Sequence, residues 1–173
     1  MGKLVISTAM TVDGLIDVTD WYVSEGGHDR ASLDQFHEAD AMLLGRKTYE
    51  GLAGFWSPLE GPWADRLNEM PKFVASRTFQ GDLEWKATVL EGEVAESVPQ
   101  LKEELDRDLV LVGCGELARD LLGRGLIDEV RFWVHPALGG EGARPFQGEK
   151  ARLALVDAKT FDSGVMLLRY APA

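Results

Sequence analysis

Three short segments of this chain carry the residue types that bind phosphate groups. They are Gly45-Arg46-Lys47-Thr48, Ser76-Arg77-Thr78 and Gly113-Cys114-Gly115. Glycines let a ligand approach the backbone closely, and the free N–H groups at a helix start bind anions. Cations at a helix start oppose the helix dipole, so a shared anionic ligand explains Arg46 and Lys47 better than a solvated pair does. The Gly113–Gly115 segment alone is explained equally well by a tight turn.

Each segment directly follows an apolar run that predicts a buried strand. These runs are Ala41–Leu44, Lys72–Ala75 and Leu109–Val112. Helical spacing follows two of the segments, with Tyr49, Leu52, Ala53 and Trp56 after the first and Leu117, Leu121 and Leu122 after the last. Because ligands bind at the carboxyl ends of strands in open α/β sheets, three matching strand ends indicate one shared anion site.

The remaining chain supplies further elements of the same kind. Ser32 and Gln35 resemble a capping box, which predicts a short helix to about Ala39, and Ser97 predicts another helix start with Pro99 in its first turn. An aromatic and glycine-rich loop, Asp17–His28, precedes the first of these helices, and it is either a flap over a pocket or a packed loop. The other predicted elements are a first strand Lys3–Met10, a turn at Thr11–Gly14, a short strand Thr88–Leu90, a strand Val130–His135, a flexible loop Gly139–Gly142, and a hairpin of Arg152–Phe161 with Val165–Tyr170.

These elements predict an α/β fold in a single domain over residues 1–173. We expect seven or eight strands and four or five helices, with a mostly parallel central sheet, flanking helices and an antiparallel C-terminal hairpin. The length is sufficient for one domain with a sizeable core.

Composition excludes several classes of protein. The net charge of −11 argues against a general nucleic-acid binder, because phosphate contacts need a basic face. The single cysteine, Cys114, permits no internal disulfide and fits a reducing cytoplasm. No apolar stretch approaches a membrane span, and neither GxxxxGK[ST] nor GxSxG occurs. The three histidines, His28, His37 and His135, are scattered, so we expect no metal site.

Residues Gly113 to Ala118 match the dinucleotide fingerprint GxGxxA. That fingerprint normally opens a Rossmann domain after its first strand, whereas here it follows most of the predicted sheet. The position argues against a standard Rossmann domain, and a dinucleotide that binds here would do so on a different fold.

Several of these motifs together resemble the dihydrofolate reductase family. Gly45-Arg46-Lys47-Thr48-Tyr49-Glu50 is similar to its Gly-Arg-x-Thr-Trp/Tyr-Glu signature, and Gly113–Gly115 is similar to its late glycine turn. Ala9–Ile16 resembles its opening strand and loop. The tail, from Asp128-Glu129-Val130 through Pro136–Gly142 to Pro145-Phe146, is closer to the C-terminal reductase domain of the bifunctional riboflavin-biosynthesis deaminase–reductase and its stand-alone relatives.

The resemblance implies NADPH as cofactor. It places the pyrophosphate and 2′-phosphate near Gly45, Arg46, Lys47 and Thr48, and the 2′-phosphate end near Ser76 and Arg77. Gly113, Cys114, Gly115, Glu116 and Leu117 would wrap the pyrophosphate, and Ala9 and Ile16 would flank the nicotinamide. The cations also favour NADPH over NADH.

The substrate side is less defined by the same resemblance. It implies a reductase acting on a small heterocycle, either a pterin or a compound like 5-amino-6-(5-phosphoribosylamino)uracil. Asp13, Trp21 and Asp29 are the candidate catalytic residues, although turn chemistry explains Asp13, and the helix dipole explains Asp29, more simply than catalysis does. The resemblance also implies a homodimer.

Two departures from the family leave an alternative open. Ser7 stands where the riboflavin reductases usually carry a lysine, and no carboxylate aligns securely with the pterin-binding acid of the dihydrofolate reductases. The alternative is a non-catalytic NADP(H)-binding or regulatory relative. A flavin-binding protein is a third interpretation.

Overall fold

One nine-stranded sheet runs through the middle of the molecule, with helices packed on both faces. The computed structural model describes all residues from 1 to 173. The strands are β1 Leu4–Thr11, β2 Ala39–Gly45, β3 Lys72–Ala75, β4 Asp82–Leu83, β5 Ala87–Val89, β6 Asp108–Val112, β7 Glu129–His135, β8 Leu153–Thr160 and β9 Met166–Pro172. The helices are α1 Gly27–Glu38, α2 Arg46–Trp56, α3 Pro62–Glu69, α4 Val94–Glu104 and α5 Glu116–Gly123.

The sheet has the strand order β4-β5-β3-β2-β6-β1-β7-β9-β8. Strands β5, β3, β2, β6, β1 and β7 are parallel, whereas β4 and the β8–β9 hairpin are antiparallel to their neighbours. The predicted fold class is therefore confirmed. Because six strands run in one direction, their carboxyl ends form one edge of the sheet, and we call it the carboxyl edge.

Two apolar cores hold the helices on the sheet. On one face, α1, α2 and α3 pack through Phe36, Tyr49 and Leu67. On the other face, α4 and α5 pack through Val98 and Leu121, together with Leu4 and Ile6 of β1. Because both faces of the sheet are covered, the side chains of β1 are buried without a break from Leu4 to Thr8. Strand β8, at the edge of the sheet, is exposed along most of its length.

Two predicted helix starts were wrong. Helix α1 begins five residues before Ser32, at Gly27, and α4 begins at Val94 rather than after Ser97. The Ser97 hydroxyl donates to the carbonyl oxygens of Glu91 and Glu93 and so does not act as an N-cap. Such hydroxyl bonds to a preceding carbonyl also occur inside helices, and the sequence pattern does not separate the two cases. Pro99 consequently lies inside α4 rather than in its first turn.

Lys72, the first residue of β3, is buried without a hydrogen-bond partner for its Nζ. The Nζ lies 4.0 Å from the centre of the Trp85 ring, and Trp85 Nε1 in turn donates to Asn68 Oδ1 at 2.6 Å. Burial, with smaller contributions from Lys86 and Arg66, lowers the pKa of Lys72 to about 7. The fold thus contains a cationic group without a counter-ion.

The turn between β4 and β5 is strained. Trp85 and Lys86 have φ values of 62° and 51°, in the left-handed region that favours glycine. Tight hairpin turns of this conformation are usually built from Asn-Gly or Asp-Gly. The indole hydrogen bond to Asn68 and the contact with Lys72 hold Trp85 in place, so the unsupported member of the pair is the exposed Lys86.

We expect Lys86→Gly to raise the free energy of unfolding by about 1 kcal/mol, because glycine adopts this φ without strain. Urea unfolding at pH 7 measures the effect. Lys86→Ala is the matched control, since it removes the same charge but keeps the β carbon. Equal stabilisation by both variants would show that charge, and not backbone strain, is responsible.

Candidate functional site

The three predicted anion-binding segments meet at the carboxyl edge. Gly45 ends β2, Ser76 follows β3, and Gly113 follows β6, and these three strands are neighbours in the sheet. Arg46 Nη1 donates to Thr78 Oγ1 at 2.7 Å, which joins the first two segments. A β carbon built on Gly113 would lie 3.6 Å from Thr48 Oγ1, so the first and third segments are also adjacent. The segments therefore form one continuous surface.

Two helices begin on this surface without a capping side chain. Gly45 is the N-cap of α2 and Gly115 is the N-cap of α5, and neither helix start has a side-chain cap. A β carbon at either glycine would meet no atom within 4 Å, so the backbone faces open space there. The first N–H groups of both helices are thus available to an external acceptor, and anions are the preferred acceptors at such positions.

Three cations surround these helix starts. Arg46, Lys47 and Arg77 are all exposed, and neither Lys47 nor Arg77 forms an ion pair. Arg46 bonds to Glu50 at 3.3 Å, and its guanidinium lies 4.7 Å from the centre of the Phe79 ring. Ser76 Oγ accepts hydrogen bonds from the backbone N–H groups of Thr78 and Phe79, which orders the turn that carries Arg77. This side of the surface is locally positive although the protein is acidic overall.

The Gly113–Gly115 turn is anchored to the core by the side chain of Cys114. Gly113 has φ +97°, which a residue with a β carbon rarely adopts. The Cys114 side chain is buried in the core with α5, and burial raises the pKa of its thiol to about 12. The sulfur therefore stays protonated and points away from the surface, and what the turn offers to a ligand is its backbone. Glu116 and Leu117 follow as the first residues of α5.

A gap in the sheet opens next to this turn. Strand β6 ends at Val112, which pairs with Ser7, whereas β1 continues to Thr11 beside β7. The last four residues of β1 therefore have no neighbour on the β6 side. Ala9 lies in this stretch, and Ile16 packs at its end against the core beneath α5. We call this place, where Thr8–Thr11 of β1 run past the end of β6 beside the Gly113–Gly115 turn, the slot.

Asp13 lies at the end of β1, and its carboxylate has three donors. Oδ1 accepts from Gly139 N–H at 2.7 Å and from the Thr11 hydroxyl at 2.5 Å, and Oδ2 accepts from Gly140 N–H at 3.0 Å. These bonds hold the pKa of Asp13 well below its usual range. The carboxylate fastens the turn after β1 to the β7–β8 loop, residues 136–152. Its segment Gly139–Gly142 was predicted to be flexible; instead, a β carbon at Gly139 or Gly142 would overlap Leu15, so this segment packs closely on Leu15.

We expect Asp13→Asn to lower the midpoint of urea unfolding, because an amide cannot accept from all three donors. Since the folded-state pKa is depressed, this stabilisation is present above the ordinary aspartate pKa and is lost as pH falls below it. The difference between wild type and variant should therefore be full at pH 7 and shrink in acid. Asp20→Asn is the control, because Asp20 has only one side-chain contact, with the neighbouring Thr19. A constant difference between wild type and the Asp13 variant down to low pH would contradict this role.

No hydrogen bond joins the three candidate catalytic residues to one another. Trp21 lies in the loop between β1 and α1, residues 12–26, which we call the flap loop, and its Nε1 donates to the Asp17 carbonyl at 2.9 Å. Asp29 lies in the first turn of α1 and accepts from Trp63 Nε1 at 3.0 Å. No hydrogen bond or ring contact joins either residue to Asp13. Each of the three is occupied by a contact within the fold.

Two histidines that looked scattered in the sequence are in contact. His28 is in α1, rather than in the predicted loop, and His135 ends β7; both are 1% exposed, and their ring centroids lie 5.6 Å apart. Burial and the neighbouring His28 lower the pKa of His135 to about 4. Tyr22 and Trp21 of the flap loop pack on His135, at 4.6 and 5.3 Å between centroids. His28 is flanked by glycines and charged residues, and His135 ends an alternating strand, so nothing in the sequence indicates that the two rings meet.

The structure contains no group of three or more His, Cys, Asp or Glu side chains that could hold a metal ion. None of its five helices combines the length and the apolar character needed to cross a bilayer.

Comparison with known proteins gives relatives over the whole chain. The uncharacterized protein YyaP of Bacillus subtilis is 29% identical over 97% of this chain and 94% of its own. A protein assigned to riboflavin biosynthesis in Shewanella sp. PV-4 has a similar structure, with a TM-score of 0.76, 19% identity and 99% of both chains covered. RibD of Acinetobacter baumannii is similar with a TM-score of 0.64 and 16% identity, and the whole of this chain matches 58% of that protein. The family model of the RibD C-terminal domain matches residues 2–167, and the chain therefore belongs to the RibD C-terminal domain family, whose fold is that of a reductase domain.

Proposed function

We propose that the protein is an NADPH-dependent reductase of a small heterocyclic compound. One observation carries this proposal: two uncapped helix starts, α2 and α5, open side by side onto a positive surface at the carboxyl ends of adjacent strands. A dinucleotide phosphate is the ligand that this donor set fits best, because it satisfies both N-termini and the cations at once.

Two groups of residues at this surface would bind different parts of NADPH. The backbone N–H groups of Gly113–Leu117 and of the first turn of α2 would bind the pyrophosphate. Arg46, Lys47, Ser76 and Arg77 would bind the 2′-phosphate, since guanidinium and ammonium groups form charge-assisted hydrogen bonds to phosphate oxygens. NADH lacks that phosphate, so the cluster explains a preference for NADPH. Gly45 and Gly115 leave room for close approach because no atom faces their missing β carbons within 4 Å.

The slot beside β1 is the position that the nicotinamide would take. Ala9 offers a small side chain there, and Ile16 supplies an apolar wall. When bound, NADPH supplies the hydride. The protein then contributes orientation of the ring at the strand ends and exclusion of water by the flap loop.

The substrate would bind across the same slot. A pterin or a compound like 5-amino-6-(5-phosphoribosylamino)uracil is a flat, polar ring of suitable size. Asp13 is a poor proton donor, because its pKa is depressed and its oxygens already accept three hydrogen bonds. Trp21, in the flap loop, would cover the flat ring, and Asp29 would first have to release Trp63.

The contacts of the candidate catalytic residues favour a second candidate function, that of a relative that binds NADP(H) but does not reduce a substrate. All three candidate catalytic residues have contacts within the fold, and none of them offers a free acid next to the slot. A phosphate-binding surface without a proton donor fits a binding protein.

Titration of the purified protein with NADPH and, separately, with NADH tests the cofactor. Tryptophan quenching and nicotinamide emission report binding, and we expect NADPH to bind at least about tenfold more tightly than NADH. No binding of either would contradict the proposal. A steady-state assay with NADPH and a panel of pterins, pyrimidines and quinones then separates the two candidates, because turnover of any panel member excludes the binding-only protein.

A further inference from the structure

Val23, in the flap loop, has both of its peptide groups bound by histidines. Its N–H donates to His135 Nδ1 at 3.1 Å, and its carbonyl oxygen accepts from His28 Nε2 at 2.8 Å. The two histidines come from different elements, β7 and α1, and neither belongs to the phosphate-binding surface. One residue of the loop is therefore held from two sides.

These bonds fix the protonation of both rings. A backbone N–H can only donate, so His135 Nδ1 must be unprotonated, and a carbonyl can only accept, so His28 Nε2 must carry hydrogen. In the neutral His28 ring, Nδ1 is then an acceptor, and it lies 2.8 Å from Ser163 Oγ. Ser163 is in the turn between β8 and β9. The chain of bonds thus runs from the C-terminal hairpin through His28 to the flap loop.

The other end of the flap loop reaches the proposed cofactor site. Ile16 N–H donates to the Ala143 carbonyl at 3.0 Å, and Phe146 N–H donates to the Cys114 carbonyl at 3.3 Å. The flap loop, the β7–β8 loop and the Gly113–Gly115 turn are therefore connected through backbone hydrogen bonds. A displacement of Val23 would therefore shift the start of the flap loop, at Ile16, which lies next to the slot.

We propose that His28 and His135 are positioning residues, which hold the flap loop against the carboxyl edge by binding both peptide groups of Val23. Neither histidine reacts with a ligand. Their effect on the cofactor rests on the proposed reductase function, whereas their effect on the flap loop does not. The packing of Tyr22 and Trp21 on His135 adds an apolar contact to the same attachment.

Paired substitutions separate the hydrogen bonds from the packing. An asparagine at 135 places Oδ1 where His135 Nδ1 lies and keeps the acceptor, whereas a glutamine extends past that position. The pairing is reversed at 28, where glutamine keeps the donor to Val23 and asparagine keeps the acceptor for Ser163. Hydrogen exchange of peptides from residues 17–26, measured by mass spectrometry on the protein without cofactor, reports the attachment directly.

We expect His135→Gln and His28→Asn to speed exchange in this segment about fivefold or more, and His135→Asn and His28→Gln to stay within about twofold of wild type. Equal exchange in both members of each pair, whether both are fast or both are slow, would overturn the proposal. Exchange in β2 and β6 serves as the folding control. Ser163→Ala removes the hydrogen bond to His28 that His28→Gln also loses, so its flap exchange should likewise stay within about twofold of wild type. Exchange as fast as in His28→Asn would overturn the proposal, because the attachment would then depend on the hairpin and not on the bonds to Val23.

The rate of NADPH dissociation, measured by stopped flow, tests the link to the cofactor. We expect it to rise about fivefold in His135→Gln and to return toward the wild-type value in His135→Asn. If wild type binds no NADPH, the reductase proposal fails, while the exchange experiment still decides whether the histidines hold the loop.

Discussion

The double variant Arg46→Ala/Arg77→Ala is expected to bind NADPH about 100-fold more weakly than the wild type, while its affinity for NADH changes by less than about threefold. The two guanidinium groups are exposed at the ends of β2 and β3, and Arg46 is oriented by its hydrogen bond to Thr78. Each charge-assisted bond to a phosphate is worth roughly 1.5–3 kcal/mol. NADH has no 2′-phosphate and forms none of these bonds, so the substitutions should affect its binding little. Fluorescence titration with both nucleotides measures the difference.

Arg124→Ala/Arg152→Ala is the matched control. It removes the same two charges at the opposite edge of the sheet, where Arg124 follows α5 and Arg152 precedes β8. The control should bind NADPH like the wild type. If both double variants lose affinity equally, general electrostatic attraction is responsible; if neither does, the 2′-phosphate lies elsewhere.

Lys72→Met is expected to stabilise the protein by roughly 2–4 kcal/mol at pH 6. The Lys72 ammonium is buried without an acceptor, so folding disfavours its charged form, and methionine fills the same volume without that cost. The folded-state pKa of about 7 lies below the ordinary value of 10.5, so the unfolded chain binds more protons between these pH values. The wild type therefore gains stability as pH rises from about 7 to 10.5, and the advantage of the variant should shrink over that range.

Urea unfolding of both proteins at a series of pH values measures this advantage. Lys3→Met is the control, because Lys3 is exposed and forms no ion pair, and it should change stability little at any pH. An advantage of Lys72→Met that is the same at pH 6 and pH 10 would mean that packing against Trp85, and not the buried charge, causes it.

The phosphate-binding surface could be predicted because its determinants are local. A buried strand, a glycine and an apolar helix face occupy consecutive positions at Ala41–Trp56 and again at Leu109–Leu122. Since parallel strands place their carboxyl ends at one edge, local patterns were sufficient to expect that the ends would meet. The structure does bring Arg46, Thr78 and Gly113 to one surface.

Contacts between distant residues could not be predicted in this way. The bond from Val23 to His135 spans 112 positions, and nothing near either residue in the sequence indicates the other. The same holds for Asp13. Its carboxylate accepts hydrogen bonds from Gly139 and Gly140, which lie 126 and 127 residues later and which no pattern around Asp13 indicates. Ser32 and Ser97 show a different limit, because a serine within a helix and one at its start have the same sequence neighbourhood.

The position of β1 has a consequence for the order of folding. It lies between β6 and β7 and pairs with no other strand, so β1 has no neighbour until residues 108–135 have been synthesised. Strands β2, β3 and β5 can pair beforehand, with α1, α2 and α3 on one face. Because such pairing between distant segments slows folding, we expect the chain to pass through a state with β1 unpaired, and its apolar Leu4–Ile6 segment makes that state prone to aggregation.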